Sequence, residues 1–136
     1  MRKLLIATHG YLADGVKSSI NILCGEKSEV TYLNAYVEDG DIKENVKDFF
    51  NEYKPEDEVI VFTDLYGGSV NQICAEYINK ENVHLIAGFN LALVLELLYK
   101  DEPLTNEVIR KEVENARNQL VYVNDIELKE EGDDFF

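Results

Sequence analysis

The segment KLLIATHG, Lys3–Gly10, starts as an apolar run and ends in threonine, histidine and glycine. Unbroken apolar residues are typical of a strand covered on both faces, as in a parallel sheet. The pattern predicts a strand over Lys3–Thr8 and leaves His9 just past its end. Three later runs predict the other strands of the sheet, at Val30–Asn34, Glu58–Thr63 and Val83–Ala87.

Apolar residues at helical spacing separate these strands. Asp41 with Glu44 three residues later, and Ser69 with Gln72 three residues later, resemble capping boxes and predict the starts of the second and third helices. A fourth helix is expected from about Asn90 to Tyr99 and a fifth from Thr105. The inward face of the first helix is predicted to comprise Leu12, Val16, Ile20 and Leu23. The inward face of the fifth is predicted to comprise Ile109, Val113, Ala116 and Leu120.

Strand–helix alternation predicts an α/β fold with an open, doubly wound sheet. Four parallel strands in the order 2-1-3-4, flanked by about five helices, are the expected solution. The segment LVYVND, Leu120–Asp125, is a candidate extra strand near the C-terminus. We expect one domain over 1–126, followed by an acidic, mobile tail over 127–136.

Composition narrows the class of protein. The 136 residues are 46% hydrophobic, and the net charge of −14 disfavours nucleic acid as a partner. No apolar run has the length of a membrane span, and the start lacks a secretory signal pattern, so a cytoplasmic protein is expected. Cys24 and Cys74 lie in helical patterns without metal-ligand spacing, and we interpret them as buried structural residues.

Polar residues collect where the first and third strands end. His9 follows one strand and Asp64 the other, and adjacent strands lie about 4.8 Å apart. A carboxylate bound to Nδ1–H would fix the imidazole tautomer and leave Nε2 free as a nucleophile or base. Gly67 and Gly68 would expose backbone amides and Ser69 would cap a helix, a setting suited to a phosphoryl group.

Each of these signals also has an ordinary structural explanation. A histidine at a strand end, an aspartate before a Gly-Gly turn and a serine at a helix start all occur without function. Their joint placement at one predicted switch point favours a site. His84 lies within a strand with no carboxylate or glycine loop nearby, so we predict a structural role for it.

Three segments together resemble one known family. ATHGYLADGVKSS, VFTDLYGGSVNQ and IAGFNLALVLELL, at 7–19, 61–72 and 86–98, are similar in order and spacing to the IIA domain of the mannose/fructose/sorbose class of the bacterial phosphoenolpyruvate-dependent sugar phosphotransferase system. The likeness extends over nearly the whole chain.

The resemblance implies a phosphotransferase that works through a phosphohistidine. His9 would accept a phosphoryl group on Nε2 from the phosphocarrier HPr and pass it to the IIB component, which serves the membrane components IIC and IID. Asp64 would orient the imidazole, with no metal and no cofactor. The expected phosphoryl-binding residues are Gly67, Gly68, Ser69, Thr8 and Asn90. Homodimers that exchange a strand near the C-terminus are also implied, and Leu120–Asp125 is the candidate.

Two positions depart from the family pattern. Val70 stands where a proline often follows GGS, and Ala92 stands at the proline position after the fourth strand. Neither change removes a group that does chemistry, but both bear on loop rigidity and partner recognition.

Three other functions remain open at this point. A histidine phosphatase or mutase would have arginine before the histidine, where this chain has Thr8. A phosphotransfer subunit that serves dihydroxyacetone kinase would share the fold and chemistry. A non-catalytic flavodoxin-like binding module would make His9 dispensable.

Overall fold

The four apolar runs form one parallel sheet. In the computed structural model, which describes residues 1–126, the strands are β1 (Arg2–His9), β2 (Val30–Ala35), β3 (Glu58–Thr63) and β4 (Val83–Ala87). Their order is β2-β1-β3-β4, which confirms the predicted topology. The predicted tail, 127–136, lies outside the described residues.

Five α-helices connect and follow the strands, as predicted. They are α1 (Leu12–Cys24), α2 (Ile42–Asn51), α3 (Ser69–Ala75), α4 (Leu91–Tyr99) and α5 (Asn106–Arg117). Asp41 caps α2 by accepting a hydrogen bond from the Lys43 amide at 2.9 Å, and Thr105 caps α5 by accepting one from the Val108 amide at 3.2 Å. Polar side chains therefore satisfy backbone donors at these helix starts.

Both faces of the sheet are buried, which explains the unbroken apolar strands. Leu4 and Ile6 of β1 pack into the layer formed by α1, α4 and α5, whereas Leu5 and Ala7 pack into the layer formed by α2 and α3. All four side chains are fully buried. Each buried leucine or isoleucine contributes about 1.5–3 kcal/mol by leaving water.

Two predicted helix faces are partly wrong. In α1 the buried stripe is Ala13, Val16 and Ile20, while Leu12 is 50% and Leu23 60% exposed. Leu12 precedes Ala13 by one residue, which turns its side chain about 100° around the axis. Leu23 lies in the last turn of α1. Leu120, at 89% exposure, follows the end of α5 and does not belong to its buried face.

Within residues 1–126 of one copy the segment Leu120–Asp125 is not a strand, and its exchange between two copies stays a prediction. Val123–Asp125 forms a short 3₁₀ helix. A strand needs a partner for its backbone groups, and within residues 1–126 this segment has none. Its apolar side chains are largely exposed, namely Leu120, Val121, Tyr122 and Val123.

A charged cluster joins the amino ends of the strands to the α4–α5 connection. Arg2 donates from Nε and Nη2 to Oε1 of Glu58, at 3.1 and 2.9 Å, and also donates to the Leu97 carbonyl. Oε2 of Glu58 accepts from the Leu104 amide at 2.7 Å. Burial alone would raise the pKa of Glu58, but the Leu104 amide and the Arg2 guanidinium outweigh it and lower the pKa.

We expect Glu58→Gln to lower the free energy of unfolding by about 1 kcal/mol, since the charged hydrogen bonds are lost at a partly solvated site. Folding lowers the Glu58 pKa, so the contribution is present above the ordinary value of 4.5 and disappears as pH falls through the lower folded-state pKa. Urea denaturation of the wild type and of Glu58→Gln, at neutral and at acid pH, measures the difference in the free energy of unfolding. Glu114→Gln, which breaks an exposed pair with Arg117, is the control, and equal losses in both variants would contradict the assignment.

Candidate functional site

The carboxyl ends of β1, β2 and β3 converge on His9. His9 is the last residue of β1 and lies opposite Ala35, the last residue of β2. On the other side, Ala7 lies opposite Thr63, so Asp64 follows β3 directly beside the end of β1. This is the edge where open parallel sheets bind ligands, at the point where the winding direction reverses.

Asp64 contacts both the backbone and the ring of His9. Its Oδ2 accepts a hydrogen bond from the His9 backbone amide at 2.9 Å and lies 3.0 Å from Nδ1, while Oδ1 lies 3.2 Å from Nδ1. An ionised carboxylate can only accept, so Nδ1 is the donor and carries the proton. Nε2 of the neutral ring therefore keeps its lone pair. The His9 side chain is 36% exposed, against 11% for Asp64.

The same contacts keep Asp64 ionised. Burial alone would raise the pKa of this carboxyl group, but hydrogen bonds from the His9 amide and ring outweigh it and lower the pKa. A fixed negative charge is thus held against one side of the imidazole across the neutral pH range. It favours any state in which the ring gains positive charge.

One hydroxyl group lies close to the other ring nitrogen, and a second hydroxyl group contacts the first. Ser69 Oγ lies 3.4 Å from Nε2 of His9, and the Tyr36 hydroxyl lies 2.7 Å from Ser69 Oγ. Gly68, not Ser69, is the N-cap of α3, which corrects the predicted capping role and leaves the serine hydroxyl directed at the histidine. Tyr36 was not predicted as a site residue, because it follows β2 and carries no motif of its own.

The glycine loop shapes the site through close contact. The Gly67 amide donates to Oδ1 of Asn71 at 3.1 Å and the Gly68 amide donates to the Leu65 carbonyl at 3.1 Å, so neither has the free amide that the sequence predicted. Gly67 has φ +77°, whereas a Cβ on Gly68 would lie 3.4 Å from Cε1 of His9. Gly68 thus lets the loop lie against the imidazole.

Thr8 and Asn90 make contacts that support the fold. Thr8 is fully buried, and its Oγ1 accepts a hydrogen bond from the Ala13 amide at 2.8 Å. Asn90 caps α4 by accepting from the Leu93 amide at 3.0 Å, and its Nδ2 donates to the Ala116 carbonyl at 2.7 Å. The polar groups of both side chains are engaged away from His9.

The remaining candidate residues lie elsewhere. His84 in β4 has a buried Nε2 to which no group of residues 1–126 hydrogen-bonds, and burial lowers the pKa of this histidine. Burial also raises the pKa of the Cys74 thiol to about 12, so this thiol is not a nucleophile at neutral pH. Arg2 is bound at the opposite end of β1, and Arg110 and Arg117 lie on α5. Arg117 pairs with Glu114 on the same helix, at 3.5 Å.

Two observations concern the described residues as a whole. Within 1–126, acidic, cysteine and histidine side chains do not gather in any group of three or more that would suit a metal ion. Over the same range, every helix is too short or too polar to cross a bilayer.

The carboxyl edge of this α/β sheet carries a histidine–carboxylate pair, and comparison with known proteins shows the family of the chain. The sequence model of the family described as PTS (phosphotransferase system) fructose IIA component matches residues 3–114. The chain belongs to this family.

Individual relatives are consistent with this membership. The mannose-specific EIIAB component of Escherichia coli (strain K12) is 26% identical over 124 residues, which cover 84% of this chain and 37% of that protein. The chain thus spans little more than a third of the length of the curated relatives it matches.

Solved structures share the whole architecture. One of them is a protein from Klebsiella pneumoniae that is provisionally named a sugar phosphotransferase system permease. It is 31% identical with a TM-score of 0.83, and the match covers 90% of this chain and 91% of the Klebsiella chain. The IIA protein associated with the fucose utilization operon of Streptococcus pneumoniae is 29% identical with a TM-score of 0.76, at 91% and 94% coverage. A mannose/sorbose-specific IIA subunit from Enterococcus faecalis, 19% identical with a TM-score of 0.75 over 95% and 97%, shows the fold alone.

Alanine at the two glycines should separate backbone strain from crowding of the ring. Gly67→Ala meets open space but keeps φ +77°, so we expect a loss of about 1 kcal/mol in stability and unchanged His9 resonances. Gly68→Ala should instead shift the His9 Cε1–H resonance, because its methyl group would lie 3.4 Å from that atom, besides lying 3.3 Å from Cβ and from the carbonyl oxygen of Leu65. Thermal melting and proton–carbon NMR on both variants test this, and identical His9 spectra in both would contradict the contact.

Proposed function

We propose that this chain is the phosphoryl-carrying IIA component of a mannose-class sugar phosphotransferase system. His9 accepts a phosphoryl group from HPr and passes it to the IIB component, which serves membrane components IIC and IID. The observation that supports this most strongly is the contact of Nδ1 with the Asp64 carboxylate, which directs Nε2 away from Asp64 at the sheet edge of a IIA family member.

The reaction is a pair of phosphoryl transfers through one nitrogen. The Nε2 lone pair forms a bond to phosphorus, and the bond between phosphorus and HPr breaks with its electron pair left on HPr. The ring now carries positive charge, which the Asp64 carboxylate stabilises through Nδ1–H. An acceptor atom on IIB then attacks phosphorus, and the electron pair of the N–P bond returns to Nε2. Positioning and electrostatics supply most of the catalysis, and no metal or cofactor takes part in this scheme.

The phosphoryl oxygens need hydrogen-bond donors once they leave the partner. Ser69 Oγ is the nearest hydroxyl to Nε2 at 3.4 Å, so we assign it that role. Gly67 and Gly68 contribute the shape of the loop, since their amides are already bonded. Thr8 and Asn90, proposed from the sequence as further phosphoryl-binding residues, act at most indirectly by holding the starts of α1 and α4 in place.

A surface for protein partners surrounds the histidine. Three loops at the carboxyl ends of β1, β2 and β3 present an apolar rim of exposed side chains, namely Tyr11, Leu12, Tyr36, Val37, Leu65 and Tyr66. Exposed aromatic and aliphatic groups around a reactive centre are typical of protein interfaces. The net charge of −14 would favour approach by partners with basic surfaces. HPr and IIB docking here would occur in the cytoplasm.

Residues 1–126 would form one IIA domain that dimerises. The strands β2 and β4 are the edges of the sheet, and the exposed apolar segment Leu120–Asp125 is available to pair with a second copy. A twofold dimer that exchanges this segment would cover apolar surface and a strand edge together.

His9 is predicted to be the phosphorylated residue. Incubation with phosphoenolpyruvate, enzyme I and HPr should add one phosphoryl group to the intact mass, and the adduct should be labile in acid and stable in alkali. His9→Ala should show no adduct, whereas His84→Gln, which alters the other histidine, should still be labelled. Labelling of the His9→Ala variant would contradict the assignment.

Asp64→Asn should slow transfer by about 10²-fold while the protein stays folded, because the amide can donate to the ring and favour the wrong tautomer. Single-turnover transfer from phosphorylated HPr, with thermal melting of the same sample, measures both quantities. Asp101→Asn, an exposed aspartate in the α4–α5 connection, is the control. An unchanged rate in a folded Asp64→Asn protein would show that Asp64 is only a turn residue.

Sedimentation should give a dimer at micromolar concentration. Val123→Asp should shift it toward monomer without unfolding the chain, because Val123 is 49% exposed within one copy. A wild-type monomer under these conditions would contradict the proposed dimer.

A further inference from the structure

Tyr36 has an unusual backbone for an exposed residue. Its φ is +70°, in the left-handed region that favours glycine, although its side chain is bulky and the residue is 63% exposed. Such a conformation is less stable than ordinary strand or helix backbone and persists where surrounding contacts hold it. The contacts of Tyr36 therefore require an explanation.

Those contacts all lead to the histidine. The β1–β2 register places His9 opposite Ala35, and the Gly10 amide donates to the Ala35 carbonyl at 2.9 Å. Tyr36 is the next residue after Ala35, so its backbone lies beside the end of β1. The two ring centroids lie 5.6 Å apart, with a tilt of 44° between the planes. The Tyr36 hydroxyl then reaches Ser69 Oγ at 2.7 Å, which joins the loop after β2 to the loop after β3.

The His9 ring, the Ser69 hydroxyl and the Tyr36 hydroxyl form a row of hydrogen-bonding groups, and the number of protons they carry limits which group can donate to which. In the neutral imidazole Nδ1 donates to Asp64 and Nε2 carries a lone pair, while Ser69 and Tyr36 have one hydroxyl proton each. If Tyr36 donates to Ser69 Oγ, the serine proton is free to face Nε2 or whatever is attached to it. Without the tyrosine hydroxyl, the serine can rotate toward solvent.

We propose that Tyr36 is a positioning residue for phosphoryl transfer, whose hydroxyl holds the Ser69 hydroxyl as a donor to the phosphoryl group on Nε2 of His9. This inference rests on the proposed function. As the N–P bond forms and the bond to HPr breaks, Ser69 donates to a phosphoryl oxygen and Tyr36 donates to Ser69 Oγ, with no proton added to Nε2. Hydrogen bonds in such a chain strengthen one another, and a donor already in place needs no reorganisation.

Tyr36→Phe tests the hydroxyl alone, because it keeps the ring and its contact with His9. Loss of one supporting hydrogen bond should lower the saturating single-turnover rate from phosphorylated HPr about fivefold. The matched control is Tyr53→Phe, which removes a hydroxyl that donates to the Glu81 carbonyl at 2.6 Å, away from the site. The control should lose stability to a similar degree, by thermal melting, and transfer at the wild-type rate.

The dependence on HPr concentration separates positioning from docking, since Tyr36 also belongs to the apolar rim. Positioning lowers the saturating rate and leaves the half-saturating concentration of phosphorylated HPr unchanged. A change confined to the half-saturating concentration would overturn the inference and make Tyr36 a docking residue.

A double-mutant cycle tests whether Tyr36 acts through Ser69. In the Ser69→Ala background the fivefold effect of Tyr36→Phe should vanish, because the group that it positions is gone. Additive losses, or an unchanged rate in Tyr36→Phe alone, would overturn the inference while the proposed function stands. If the wild-type protein takes no phosphate from HPr, the proposed function fails and the inference fails with it.

Discussion

The carboxylate of Asp64 is the constraint on which the site depends. One oxygen accepts from the backbone amide of His9 and lies close to Nδ1, so the same group anchors the end of β1 and orients the imidazole. The contact is available because β1 and β3 are adjacent, parallel and paired in a register that ends with Ala7 opposite Thr63. A change of strand order or register would separate the two side chains, so the chemistry at His9 depends directly on the topology.

Much of the fold was predictable because both faces of the sheet are buried. Burial on two faces requires continuous apolar runs, and those runs marked the bounds of β3 and β4 as the structure has them. The buried faces of the helices were harder to predict than the strands. Leu12, Leu23 and Leu120 fit a helical period but lie where a helix begins, ends or has already ended, and the sheet does not cover them. The helical period of the sequence cannot show where the sheet ceases to cover a helix.

The site was predictable only in part, for a related reason. His9, Asp64 and Ser69 follow strands with recognisable flanking residues, so the topology alone placed them together. Tyr36 has no such signal, because its place beside His9 arises from the β1–β2 register and from a positive φ that the residue type disfavours. The amides of Gly67 and Gly68 looked free from the sequence, and only the folded loop shows that Asn71 and Leu65 accept from them.

The central claim is that one nitrogen of one histidine carries the phosphoryl group. The most direct measurement is long-range proton–nitrogen NMR of protein labelled with ¹⁵N-histidine, before and after phosphorylation through phosphoenolpyruvate, enzyme I and HPr. The account predicts that Nε2 of His9 gains the phosphorus while Nδ1 keeps its proton toward Asp64, and that His84 does not change. Phosphorus on Nδ1 of His9, on His84 or on the Ser69 hydroxyl would contradict it.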